Sequence, residues 1–527
     1  VGRAELVLVP PSSPIIFESC LRDQNMTPIG IDLGTTHLAA AWVDSQGQPR
    51  VLYGHDGSAL LPATVYFESP DVVQVGRDPL RGEGIEIDRL AIQTKRWLGR
   101  PRNYQFHDRE YSAVELASLM LRKVISRAKD QLGTEVGPVT LAIPAHFDVA
   151  QRAAIHQVAE LAGVTLSAIV SEPVAASIAF GSRHVGPRYG DLAEGVPTLV
   201  IDMGGGTLDI SVVTCMEDDI DVSVVAGDAH LGGMDFDRAL YYHLCHHVLD
   251  HTGIDPASDP VLRYRLLSLS RWAKENLTFN SEVRVEISDE FLGGMSCEPM
   301  LLTVDAANEL WAELLERSES VLLRVLSECE DKEIDLGRVV FSGGGSLVPA
   351  FRDRLVPHVA PLAAEADMLM GPDEAVAVGA ALYGSMVSGS AADNVIPTLH
   401  ERLPYDLGVA DEVGHMVVVV AKGTELPGRG VHVFTTVEDN QTQVVFRIVR
   451  RDADGTLTPL GEVCLNGLNP STQGDPDLNV HFRVDAEGAL SIDAWEGENT
   501  PVSLNLAFSG DLTALQPARR GRQLTVL

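Results

Sequence analysis

The chain has 527 residues, 45% hydrophobic and 22% charged. That is an ordinary globular composition and too much sequence for one core, so two to four domains are expected. Lys and Arg total 40 against 74 Asp and Glu, a formal net charge of -34; such a chain repels nucleic-acid phosphates and anionic lipid, so neither nucleic acid nor membrane is expected as a partner, and any phosphate ligand must be held locally by backbone NH groups, a few cations or Mg2+.

Residues 1–27 carry short apolar pieces broken by Pro10, Pro11 and Pro14, which is not a continuous signal-peptide core. They are expected to be a disordered extension or sequence outside the functional chain, with Met26 as the functional start. No apolar run approaches the roughly 20 residues of a membrane span. From 28 to 387 strands alternate with helices. "ELASLMLRKVISRAKDQLG" (115–133) is an amphipathic helix stopped by Gly133, and "PVTLAIPA" after it is a buried strand. "DVAQRAAIHQVAELAG" is a helix capped by Asp148 and ended by Gly163, and "SEPVAASIAFG" starts another with Pro173 at its first position. This order predicts an α/β layer architecture. Residues 388–401 include the small, polar, proline-containing "SGSAADNVIPTL" and mark a linker. From 402 to 512, "HMVVVVAKG", "GVHVFTTVEDNQ", "QVVFRIVRR", "LNVHFRVDAEG" and "ALSIDAWEG" are β-branched runs separated by turn residues, which predicts an all-β domain; 513–527 is a tail.

The six cysteines, Cys20, Cys215, Cys245, Cys297, Cys329 and Cys464, include no CxxC pair, which fits a reducing, cytoplasmic compartment better than a disulfide framework or structural zinc. "HLCHH" places His243, His246 and His247 on one helical face, and solvated surface histidines explain it as well as a metal would.

The chemistry concentrates in a repeated hairpin, "IGIDLGTTHLAAAWV" (29–43) and "LVIDMGGGTLDISVV" (199–213). In each, an apolar strand ends in Asp and turns through Gly and Thr. Gly34, Gly204, Gly205 and Gly206 remove Cβ atoms that would keep a phosphate from the backbone and allow positive φ. The successive NH groups form an anion-binding concavity, with Thr35, Thr36 and Thr207 as extra donors. Asp32 and Asp202 then face each other across the phosphates as Mg2+ ligands, acting through its waters. A third element, "VVFSGGGSLVPAF" (339–351), is a strand followed by Gly343, Gly344 and Gly345, where a flat ring such as adenine can lie against backbone.

At these elements the sequence resembles the DnaK-type, seventy-kilodalton heat-shock chaperone family, within the actin and sugar-kinase superfamily. Further matches run from 28 to about 510 and include "TKRWLGR", "AIPAHFDVAQRAA", "SEPVAASIAFG", "GDAHLGGMDFD", "GPDEAVAVGAA" and "VFTTVEDNQ". The resemblance implies an actin-like, ribonuclease H-like duplicated, two-lobed ATPase domain followed by a β-sandwich that binds extended apolar peptide. It implies ATP/ADP and Mg2+ as cofactors, and a J-domain cochaperone and a nucleotide-exchange factor as partners. Lys95 matches the family's catalytic lysine and Glu172 the glutamate that positions the attacking water. Asp202 and Thr207 join them at the γ-phosphate. Gly232, Gly233, Lys274, Ser346 and Asp373 match nucleotide-contacting positions. Leu407, Val409, Phe434, Val437, Val444 and Phe446 match the peptide cleft, where one buried leucine side chain contributes roughly 2 kcal/mol; sandwich core is the other reading of these residues.

Departures from the family pattern are also legible. His37 and Leu38 replace Asn-Ser, Arg271 stands where a nucleoside-contacting glutamate is usual, and Leu347 replaces an arginine that stacks on the base, a loss of about 1 kcal/mol. The peptide arch falls at Glu412 and Val437. "DNVIPTLHE" replaces an acidic-bracketed leucine linker, with Pro397 interrupting it, so weaker coupling is expected. No helical lid is expected after the β-domain. The alternative to a chaperone is a nucleotide-dependent binding or scaffold protein with negligible hydrolysis; a sugar-kinase-like transferase leaves the β-domain without a task.

Overall fold

The computed structural model describes residues 26–76, 86–184, 195–216, 219–362, 365–368, 371–388, 396–411, 413–452, 455–499, 502–504, 507–508 and 525–526. Expectations for residues 1–25, Glu412 and most of the tail lie outside them. The protein is mixed α/β with several sheets. Two of those sheets share one plan. In the first, the order is Leu166–Ser171, Glu135–Ile143, Met26–Leu33, His37–Val43, Pro49–Val51. In the second it is Glu365–Met368, Arg338–Ser342, Thr198–Met203, Leu208–Cys215, Asp219–Asp228. Each central strand is parallel to its neighbour on one side and forms an antiparallel hairpin on the other. The repeated motif is thus the central hairpin of each sheet. Its first strand begins at Met26, paired with Glu135, so residues 26 and 27 belong to the sheet and not to an extension.

Between the sheets lies helix Pro372–Val387, nearly all small or branched and buried. Its packing needs glycines: a Cβ on Gly30 would collide with the backbone of Ala380 and Ala381, and one on Gly379 with that of Ala175. Local signals set the other helices. Ser112 and Glu115 form a capping box on helix Ala113–Leu132, which stops at Gly133 with φ 66°. Asp148 and Gln151 cap Val149–Ala162, which stops at Gly163 with φ 74°. Helix Glu172–His184 begins one residue earlier than expected, so Glu172 is its first residue and Pro173 its second.

Beyond residue 388 every described element is a strand. A five-stranded and a four-stranded antiparallel sheet share one core that includes Leu407, Ile448, Val463, Val480, Phe482 and Ile492. Val149, from the capped helix of the first half, joins that core. Residues Thr398–His400, read as linker, form a strand parallel to Asp219–Asp228 and complete the edge of the second sheet. Pro397 precedes that strand and needs to donate no ladder bond, so it does not prevent the pairing.

Candidate functional site

The two hairpin loops meet head to head. A Cβ on Gly205 would lie 2.5 Å from the Thr36 side chain, and one on Gly206 would lie 2.8 Å from Thr35 Oγ1. A Cβ on Gly232 would stand 2.6 Å from Gly206 N. These glycines are therefore required by close approach of one loop to another. Positive φ is not involved: among the motif glycines only Gly343 adopts it, at 76°, which corrects the conformational part of the sequence argument for Gly34, Gly204, Gly205 and Gly206. Gly34 has its own steric reason, since a Cβ there would collide with His37 O.

Helix Gly233–Thr252 starts on the second loop. Gly233 N donates to Gly204 O (3.0 Å) and Met234 N to Gly205 O (2.9 Å). Arg96, next to Lys95, donates to Gly206 O and Asp235 Oδ2, both at 2.8 Å, and so ties the first half of the chain to this loop. The tri-glycine turn packs against the same loop. Cβ atoms on Gly343 and Gly345 would collide with Met203 and its surroundings, one on Gly344 would collide with the Asp373 carboxylate, and Ser346 Oγ donates to Gly343 O (2.6 Å). Lys274 donates to Gly233 O (2.8 Å) and pairs with Asp237 (2.7 Å).

At the centre, Lys95 Nζ and Glu172 Oε1 are 2.6 Å apart, with side chains only 7% and 10% exposed. Burial works against the ammonium, but Glu172 and Asp32 outweigh it and raise the Lys95 pKa, so the lysine stays charged. Burial pushes Asp32 up to about 7, with Lys95 opposing and Glu172 and Asp373 adding. Asp202 is raised by burial and then by Glu172, Asp209 and Asp32. Several carboxylates thus surround one lysine. Asp32 Oδ1, Asp202 Oδ2 and Asp209 Oδ2 are buried with no hydrogen-bond partner, a costly arrangement unless a cation meets them. Hard carboxylate oxygens without partners suit Mg2+, and these residues fit it.

Sequence reasoning missed several neighbours. Asp209, inside the second motif, pairs with His146 Nδ1 at 2.7 Å. Lys95 Nζ stands 5.9 Å over the Phe147 ring. Asp148 Oδ2 accepts from Arg100 and from Arg450 of the C-terminal β-region, both at 2.9 Å. Three consecutive residues thus touch the second hairpin, the buried lysine and the β-region. The two departures at His37 and Arg271 also prove to be one feature: Arg271 Nη2 donates to His37 Nε2 at 3.1 Å, and burial and the Arg271 charge lower the His37 pKa to about 3, keeping it a neutral acceptor.

The six expected cleft residues do not behave as one group. Leu407, Val409 and Phe446 are buried in the core shared by the two β-sheets, Phe434 and Val444 pack half-buried at its margin, and Val437 is 71% exposed. For Leu407 and Phe446 the core reading describes the side chains better than an open cleft does. Val431, Val433 and Val445 face outward instead.

The chain's sequence matches the profile of the Hsp70 protein family over residues 101–514. It is 30% identical over 474 residues to the chaperone protein DnaK of Thermotoga petrophila, covering 88% of this chain and 78% of that protein. DnaK of Thermotoga maritima gives the same figures, and DnaK of Thermosipho melanesiensis is 29% identical over 475 residues. The chain belongs to the Hsp70 family.

Proposed function

We propose that the chain is an ATP-hydrolysing chaperone in which an actin-like, two-lobed ATPase domain (28–387) controls a β-sandwich (402–512) that grips extended apolar peptide. The observation that carries this reading is the buried Lys95–Glu172 pair at the meeting point of the two hairpins, ringed by carboxylates with unpartnered oxygens. Asp32 and Asp202 would hold Mg2+, which when bound would supply charge neutralisation on the nucleotide phosphates. Thr35, Thr36, Gly204, Gly205, Gly206 and Thr207 cradle those phosphates. Gly232, Gly233, Lys274, Gly343, Gly344, Gly345, Ser346 and Asp373 hold the nucleoside side. Lys95 stabilises charge developing on the transferred group, and Glu172 orients the attacking water. The strand Gly428–Phe434 lies at a sheet edge and exposes Val431 and Val433, which suits an extended peptide that adds strand-like hydrogen bonds and apolar contacts. The cochaperones implied are a J-domain protein and a nucleotide-exchange factor, in the cytoplasm.

Lys95→Ala is expected to keep ATP binding and lose most hydrolysis, read as phosphate release under saturating ATP. Equal turnover in wild type and variant would refute the assignment. The second reading is a nucleotide-dependent scaffold with negligible hydrolysis, favoured by Leu347 and by the Arg271–His37 pair on the nucleoside side. ATP turnover measured with and without an extended apolar peptide separates the two: the chaperone is stimulated, the scaffold is not.

A further inference from the structure

We propose that His247, His251 and Cys297 form a zinc site at the far end of helix Gly233–Thr252, separate from the carboxylate site at its start. One ring nitrogen of each histidine and the Cys297 Sγ lie within 4.8 Å of one another. Tetrahedral zinc with its usual bond lengths holds such donors about 3.3–3.7 Å apart, so modest side-chain rotation closes the set. His247 and His251 are four residues apart on the helix and therefore share a face. Cys297 comes from the loop that follows the short turn Asp289–Leu292, where Gly293 and Gly294 take φ of 65° and 88° and fold the chain back onto the helix. His243 and His246, the other histidines of "HLCHH", are not part of the set; the sequence could not show this because Cys297 is distant in the chain.

The second observation is the state of the two imidazoles. His247 Nε2 is 2.6 Å from Glu298 O, and His251 Nδ1 is 2.8 Å from His247 O. A carbonyl accepts only from an N–H, so each ring carries a proton there, and the other nitrogen, His247 Nδ1 or His251 Nε2, is the one a metal can take. Metal-bound histidines are commonly oriented in this way, by a carbonyl on the non-ligating nitrogen. Glu298 is also the residue next to Cys297, so one ligand's carbonyl brace and another ligand are carried by the same short stretch. Cys297 is 6% exposed among Tyr241, Val248, Leu262, Leu266, Ile287 and Leu292. Burial raises its thiol pKa, so the metal-free sulfur is protonated and zinc displaces that proton. Two imidazoles and a thiolate select zinc over Mg2+ or Ca2+, and a fourth position is left to water beside the exposed His251. Zinc there would clasp the 289–298 loop to the last turn of the helix whose first turn supports the Gly204–Gly206 loop.

The test is Co2+ titration of the full chain, reduced and stripped of metal. One equivalent is expected to give a thiolate-to-cobalt charge-transfer band and tetrahedral visible bands, both displaced by Zn2+. Cys297→Ser should abolish the charge-transfer band. His251→Gln, at an exposed position whose change leaves the fold intact, should weaken Zn2+ affinity at least about tenfold. Cys464→Ser and His246→Gln should leave the titration unchanged. The proposal is overturned if one equivalent of Co2+ produces no thiolate band, if the band survives Cys297→Ser, or if it is lost in Cys464→Ser. None of these readouts depends on ATP turnover, so they stand apart from the proposed ATPase.

Discussion

Arg271 and His37 come from opposite halves of the chain, and each looks unfavourable alone. By the resemblance, a cation stands where a glutamate is expected at Arg271, and an imidazole stands where an asparagine is expected at His37, beside the first Gly-Thr hairpin. Their 3.1 Å contact makes them partners, with His37 neutral because burial first, and then the guanidinium facing it, lower its pKa to about 3. Removing either should therefore strand the other. His37→Asn and Arg271→Glu are each expected to weaken ATP binding, while the double variant, which restores the family's residue types, recovers most of the loss. A coupling of about 1–2 kcal/mol is expected in calorimetric titration, as for side chains in contact. Strictly additive losses would mean that the contact has no bearing on the nucleotide. Neither side chain announced this pairing in the sequence, because 234 residues separate them. The sequence singled out Lys95, Glu172, Asp32 and Asp202, which the structure brings together, whereas the pairing of Asp209 with His146 was not readable, for the same reason. What was misread about the glycines was positive φ, which none of Gly34, Gly204, Gly205 and Gly206 adopts; at Gly205 and Gly206 the structure requires space between opposing loops.

At the scale of elements, legibility follows locality. Helix Val149–Ala162 was readable to both ends because its cap, Asp148 with Gln151, and its stop, Gly163, lie within a turn of its termini. The strand Thr398–His400 was not, since three residues beside a proline carry no periodicity and become a strand only by meeting Asp219–Asp228. Side chains hold that strand from both sides. His400 Nε2 is 3.0 Å from Asp219 Oδ1 of the second sheet, and Nδ1 is 2.6 Å from Glu425 Oε1 of the β-region. Arg402, two residues on, bonds Asp221 at 2.6 Å. The Glu425 hydrogen bond first, and then that from Asp219, raises the His400 pKa above 6.5, with burial working weakly the other way. The sign follows from linkage: a histidine raised on docking stabilises the docked strand fully below its undocked pKa, and that contribution is lost as pH rises above 6.5 through the docked value. Amides of 398–400, corrected for intrinsic exchange rates, should be better protected at pH 6 than at pH 8, and His400→Gln should flatten the difference. The same pH dependence in the variant would assign it to other groups.

Among the described residues, ion pairs and hydrogen bonds join the two halves of the molecule, and Val149 adds an apolar contact to the β-core. Arg450 reaches Asp148, Arg152 bonds Glu401 (3.3 Å) and Glu487 O (3.1 Å), and Lys422 bonds Glu328 (3.1 Å). The most buried is at Asp148, whose carboxylate is fully enclosed while also capping its own helix. It adjoins Phe147 under Lys95 and His146 on Asp209, so a change at the buried lysine and a change in docking meet in three consecutive residues. Arg450 is the informative position to alter. Asp148→Ala would remove the helix cap as well, an added cost of about 1 kcal/mol, whereas Arg450→Ala leaves Asp148 still paired with Arg100. Loss of one charge-assisted hydrogen bond costs about 2 kcal/mol, roughly a thirty-fold shift away from the docked arrangement. Arg450→Ala should therefore keep basal ATP turnover within about twofold of wild type, because Arg450 bonds none of Lys95, Glu172, Asp32 and Asp202, and should lose stimulation by extended apolar peptide. Stimulation equal to wild type would mean that signals cross elsewhere, and the His400 strand would be the next path to cut. Loss of basal turnover together with stimulation would place Arg450 in support of the site itself rather than of its link to the β-region.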